Sequence, residues 1–126
     1  MLTDYDAAIE GGEAWVLDEA GELVGVLVAR PGKNHLFVET VAVRPDRQGG
    51  GLGGRLMAFA EDEARRLGLR EIRLYTNEKM RENFSFYGGL GFEETGRRTE
   101  DGYRRVFMRK RLEQEPEART KGGNER

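Results

Sequence analysis

Apolar positions in this chain fall into short runs separated by glycine, proline and charged residues, and the spacing inside each run predicts an element. Glu13–Asp18 and Glu22–Ala29 carry Trp15, Val16, Leu17, Val24, Val26, Leu27 and Val28 around Glu19-Ala20-Gly21, which predicts a hairpin. After the breaker Arg30–Asn34, Leu36–Val43 is apolar except for Glu39 and Thr40, the pattern of a central strand covered on both faces. Leu52, Leu56, Phe59, Ala60, Ala64 and Leu67 recur at helical spacing, and Gly68 is placed to end that helix. Glu71–Thr76 alternates like a strand, and the order strand, helix, strand sets it parallel to Leu36–Val43.

The second half continues in the same way. Met80, Phe84 and Tyr87 share a face of a predicted helix over Glu78–Tyr87, broken by Gly88-Gly89-Leu90-Gly91. Phe92–Arg97 and Tyr103–Leu112 flank Glu100-Asp101-Gly102 and form a closing antiparallel hairpin. Residues 113–126 hold almost nothing apolar to offset the entropy of ordering, so they are expected to be a disordered tail behind one domain, residues 1–112. The expected fold is α/β (α+β): a mixed, mostly antiparallel twisted sheet with a central parallel pair and packed helices.

Composition narrows the function. The chain has 126 residues, 37% hydrophobic and 35% charged, with a net charge of −2, which fits one globular domain with a heavily charged surface. There is no membrane-length apolar run and no domain-wide basic field, so neither a membrane nor a nucleic-acid partner is expected. No export signal precedes the first hairpin, and a cytoplasmic location is expected. With no cysteine and a single histidine, thiol chemistry is excluded and a metal enzyme is not expected.

The segment Gln48-Gly49-Gly50-Gly51-Leu52-Gly53-Gly54 stands between a buried strand and an amphipathic helix. Glycines there let backbone N–H groups approach a ligand closely, and the helix start adds unpaired donors and a positive dipole end, which suits a pyrophosphate. Gly53 is followed by Gly54-Arg55 rather than Lys-Ser/Thr, and Arg44-Pro45 precedes the turn, so neither a Walker loop nor a dinucleotide fingerprint fits.

Val41-Ala42-Val43, Pro45, then Gln48, Gly51 and Gly53, followed by Leu74–Glu78 and Asn83–Phe92, resemble the two donor-binding motifs of the GCN5-related N-acetyltransferase (GNAT) superfamily, over about Glu13 to Leu112. The resemblance implies a GNAT-like fold and acetyl-coenzyme A as cosubstrate, without a metal. Val41, Ala42 and Val43 would line the donor, Gln48, Gly49, Gly50, Gly51, Leu52, Gly53 and Gly54 would hold its pyrophosphate, and Asn83 would contact its pantetheine arm. Only twelve residues precede Glu13, so the usual N-terminal strand and helix, which wall the acceptor pocket in the family, are expected to be missing.

The implied reaction is transfer of an acetyl group to a primary amine on a small molecule, a peptide N-terminus or a lysine, by direct attack in a ternary complex. Tyr87 sits where the family commonly carries its general acid and is otherwise a core aromatic beside Phe84. Glu39 is two residues before Val41, so strict alternation puts it on the face of Val41 and Val43; it is a candidate base or a surface ion-paired carboxylate. Arg44, Arg47 and Arg55 flank the glycine turn as secondary phosphate ligands or solvated charges. His35 is assigned to a turn, Trp15 to the core, and the Arg104–Arg111 strand to a solvated sheet edge. Two other readings stay open: a non-catalytic coenzyme A-binding module, and an N-terminally truncated enzyme. A homodimer is compatible with either.

Overall fold

The computed structural model describes residues 2–5 and 13–112; the expected tail, residues 113–126, lies outside the described residues. Seven strands form one sheet: β1 (Leu2–Tyr5), β2 (Glu13–Glu19), β3 (Glu22–Pro31), β4 (His35–Val43), β5 (Glu71–Asn77), β6 (Glu93–Glu100) and β7 (Tyr103–Arg111), in the order β1-β2-β3-β4-β5-β7-β6. All neighbours are antiparallel except β4 and β5. The expected mixed sheet with one central parallel pair is therefore present. β1 is an addition, because four residues are too few for a hydrophobic period to mark them as a strand.

Helices α1 (Leu52–Arg66) and α2 (Arg81–Gly89) lie on the same face. Glu61 of α1 accepts from Lys110 at 2.6 Å, and Asn83 of α2 donates to Thr76; both partners are on the face that carries Ile72, Leu74, Val106 and Met108. Leu56, Met57, Ala60 and Ala64 of α1 close over those residues and over Leu17, Leu27, Leu36 and Val38, forming the core. Trp15 joins it edge-on to Phe59, with ring centroids 5.3 Å apart. α1 ends as expected at Gly68: its N–H donates to the Arg65 carbonyl and that of Leu69 to Ala64, satisfying carbonyls that the helix end leaves free. Leu67 lies beyond the covered face and is exposed.

Three expectations are corrected. α2 begins at Arg81, leaving Met80 exposed outside it, and it runs through Gly88 and Gly89 to stop only before the positive φ of Gly91. β7 is an interior strand between β5 and β6, not an edge. Its arginines fit there because, among the described residues, no helix covers the second face, which carries Arg105, Phe107 and Arg109 while Val106 and Met108 are buried on the first.

The third correction concerns β4. Leu36 and Val38 are buried, but Glu39, Thr40 and Ala42 are exposed, so only the first half of the strand is covered. β4 pairs with β5 only at His35, Leu36 and Phe37. Beyond that point the two strands separate, and the second half of β4 faces a gap.

Candidate donor and acyl-transfer site

The gap opens into a cleft of about 740 Å³ between β4, the glycine turn and α2. Val41, Ala42, Val43, Gln48, Gly49, Gly51, Leu52, Gly53, Gly54, Asn83 and Tyr87 all line it, so residues from three separate stretches of sequence converge on one surface. Gly50 is absent from that wall. Met80 and Phe86 line it as well; neither carries a distinctive polar group that would mark it in the sequence.

The turn is built to expose donors. Gln48 donates through Nε2 to the Val43 carbonyl at 3.0 Å, tying the loop back to the end of β4. Gly51 caps α1 at φ +86°, a left-handed conformation that a Cβ would strain. The first helical N–H to find a carbonyl is that of Arg55, bonded to Gly51. Among the described residues, the N–H groups from Gly49 to Gly54 have no acceptor, and those of Leu52, Gly53 and Gly54 head the helix with its dipole behind them. Gly53 also lets the helices meet: a Cβ there would stand 3.1 Å from Cζ of Phe86.

The flanking arginines are positioned by carboxylates rather than left loose. Glu19 holds Arg47, which lines the cleft, and also Arg55 at 3.3 Å, and the Arg47 guanidinium keeps the Glu19 carboxyl below its ordinary value. Arg44 bonds Asp46 at 2.7 Å and Glu22 at 3.3 Å and lies off the cleft wall.

Tyr87 reaches the cleft from α2 with its ring edge-on to Phe86 and Phe92, at 4.9 and 5.5 Å. Burial among those rings pushes its phenol above 10, and among the described residues its hydroxyl has no hydrogen-bond partner. It is thus protonated at neutral pH and has its proton unshared. One turn earlier, Asn83 donates through Nδ2 to Oγ1 of Thr76 at 2.9 Å, which fixes α2 against the free end of β5.

Glu39 is not in this cleft. Ala29 pairs with Val38 and Val28 with Thr40, so Glu39 is an extra residue in β4, a bulge. The burial that alternates through Leu36 and Val38 resumes one residue late, at Val41 and Val43, which pack against the core. Glu39 therefore does not share their face as strict alternation predicts. It accepts from Arg30 at 2.9 and 3.3 Å, and Arg30 pairs with Phe37 on the helix-free face. His35 takes the turn position expected of it: the N–H of Gly32 donates to its carbonyl at 2.7 Å.

The chain as a whole has counterparts among known proteins. The acetyltransferase (GNAT) family matches residues 2–92. An aminoalkylphosphonate N-acetyltransferase from Salmonella typhimurium is 31% identical over 108 residues, covering 73% of this chain and 70% of that protein. N-acetyltransferase family 8 member 2 of Rattus norvegicus is 29% identical over 91 residues, 68% of this chain but 40% of the rat protein, so the chain spans less than half of that relative's length. In structure, a GNAT family acetyltransferase from Elizabethkingia anophelis with acetyl-CoA bound superposes with a TM-score of 0.80 at 16% identity, over 89% of this chain and 97% of that one. The match along the chain and the shared fold agree: this chain belongs to the acetyltransferase (GNAT) family.

Proposed function

We propose that the chain is an N-acetyltransferase that moves an acetyl group from acetyl-CoA to a primary amine. The observation that carries this reading is the run of unpaired N–H groups from Gly49 to Gly54 at the mouth of the β4–β5 gap. The turn takes the donor's pyrophosphate, and the pantetheine arm enters the gap along Val41, Ala42 and Val43, adding itself to the strand edge that β5 leaves free.

In the reaction, the neutral amine attacks the acetyl carbonyl; the C–N bond forms, the C–S bond breaks, and the proton shed by the amine balances the one the sulfur takes up. Tyr87 gives its proton to the departing thiolate, for which a weak acid suffices. Glu39, on the sheet face opposite the donor cleft, takes the amine proton through water from the side on which the acceptor arrives.

The test is thiol release from acetyl-CoA with a panel of primary amines, with calorimetry of coenzyme A binding to the parent chain and to Gly51→Val. Amine-dependent release, with coenzyme A affinity lost in the folded variant, is expected. Tight coenzyme A binding without turnover on any amine would make the chain a binding module, and equal affinity in Gly51→Val would remove the turn from the site.

A further inference from the structure

The helix-free face carries a second cavity, of about 530 Å³, whose lining includes Arg73, Arg98 and Arg109 and no carboxylate; Arg97 also borders it, but it pairs with Val106 and its guanidinium stands over Phe84 of α2, on the helix side. Phe37 and Phe107 supply apolar surface to the same wall. On this face Arg73 stands directly opposite Arg109 across β5 and β7, and Arg98 opposite Arg105 across β6 and β7. Like charges in directly opposed positions destabilise a sheet, and here two such pairs flank Phe107.

The balancing carboxylates sit to the side. Arg73 is held by Glu71 at 3.3 Å, Arg109 by Glu93 at 3.0 Å and Arg98 by Glu100 at 3.6 Å, and none of the three acids lines the cavity. Arg98 also lies 4.5 Å above the Phe107 ring. Burial and the neighbouring Arg73 charge hold the His35 imidazole, also in this wall, below its ordinary value, so at neutral pH it adds no positive charge. The guanidinium groups are thus fixed in place around a concavity with an apolar floor and no anion of its own.

The position ties the cavity to transfer. Phe37 and Arg73 are the last paired residues of β4 and β5 before the gap opens, and Glu39 with Arg30 stands on the same face two residues along. The cavity thus borders the point at which the gap opens.

We infer that this cavity selects the acceptor: a small amine bearing an anionic group, a carboxylate or a phosphate, seated by Arg73, Arg98 and Arg109, with its carbon chain on Phe37 and Phe107. The inference rests on the acetyl-transfer reading for the amine and on the arginine cavity for the anion. Fixed guanidinium forks match both kinds of oxyanion.

The experiment compares kcat/KM for 4-aminobutanoate against butylamine and for O-phosphoethanolamine against ethanolamine, in the parent chain, Arg98→Gln, Arg109→Gln and Arg109→Lys, with circular dichroism to confirm folding. A preference for the anionic member of at least one pair is expected, reduced about tenfold in the Gln variants through KM, as loss of a charged hydrogen bond predicts, and largely kept in Arg109→Lys. The pair with the greater preference identifies the oxyanion. Equal use of neutral amines, a preference that survives both Gln variants, or stronger use of an acidic peptide than of either small anion would overturn the inference. If no amine is acetylated, the transfer reading fails by itself, and NMR titration of the full chain with 4-aminobutanoate and O-phosphoethanolamine decides this one: shifts of His35 that disappear in the Gln variants uphold it, and their absence in the parent overturns it.

Discussion

Asn83 and Thr76 are joined by a 2.9 Å hydrogen bond that bridges α2 to the last turn-side residues of β5, at the level where β4 and β5 have already parted. The bond holds the gap's far wall, because Thr76 is buried and Asn83 lines the donor cleft. Thr76→Val keeps the shape and removes the acceptor, leaving Asn83 free to turn. A stability loss of about 1 kcal/mol is expected, together with a higher KM for the donor. Thermal melts and donor-saturation curves check both, and an unchanged donor KM would separate Asn83 from donor binding.

Tyr87→Phe deletes one oxygen and keeps the ring contacts with Phe86 and Phe92. A general acid contributes on the order of 10²-fold or more, so turnover is expected to fall by about that factor with coenzyme A affinity unchanged. Because burial raises the phenol above 10, the parent's rate should hold through pH 9 without a falling limb from this group. Single-turnover rates across that range provide the measurement; equal rates for parent and variant would return Tyr87 to a packing role.

Glu39→Gln keeps the bulge and the approach to Arg30 while removing the charge. If Glu39 receives the amine's proton, kcat/KM should fall most at low pH, where the acceptor is largely protonated, and recover partly as pH rises. Parallel pH profiles for parent and variant would leave the proton to solvent.

His35 titrates below its ordinary value in the folded chain, first through burial and then through Arg73. The sign follows from linkage: a depressed folded value means the unfolded chain takes up the proton first. Its contribution is present above about 6.5 and lost as pH falls through the folded value. Melting temperature should therefore decline between pH 7 and 5, and His35→Gln should flatten that decline; an identical slope in the variant would place the loss elsewhere.

The parts of this fold that were legible in the sequence are those in which one local period held. Leu52, Leu56, Ala60 and Ala64 gave α1 to within a residue, and the glycines before it marked the turn because few other reasons put so many together. What was not legible depends on neighbours distant in sequence. Nothing in Tyr103–Arg111 says that its arginines lie on an interior strand, since that requires β6 to return outside it. Met80 has the spacing of a helix residue, but Asn77 forms a turn by accepting from the Lys79 N–H at 2.8 Å and delays the start of α2. The cavity of arginines was invisible for the same reason: its members come from four strands whose adjacency is a property of the sheet alone.

The extra residue at Glu39 works as a phase shifter. Upstream of it the even-numbered positions of β4 meet the helices, and downstream the odd-numbered ones do. Removing one residue here would turn Val41 and Val43 out toward the arginine face and bring Ala42 in against α1, rebuilding the β4 wall of the donor cleft while His35 and Phe37, upstream of the bulge, keep their places in the arginine cavity. In this stretch the count of residues carries as much information as their identities: Glu39 tolerates replacement far better than deletion.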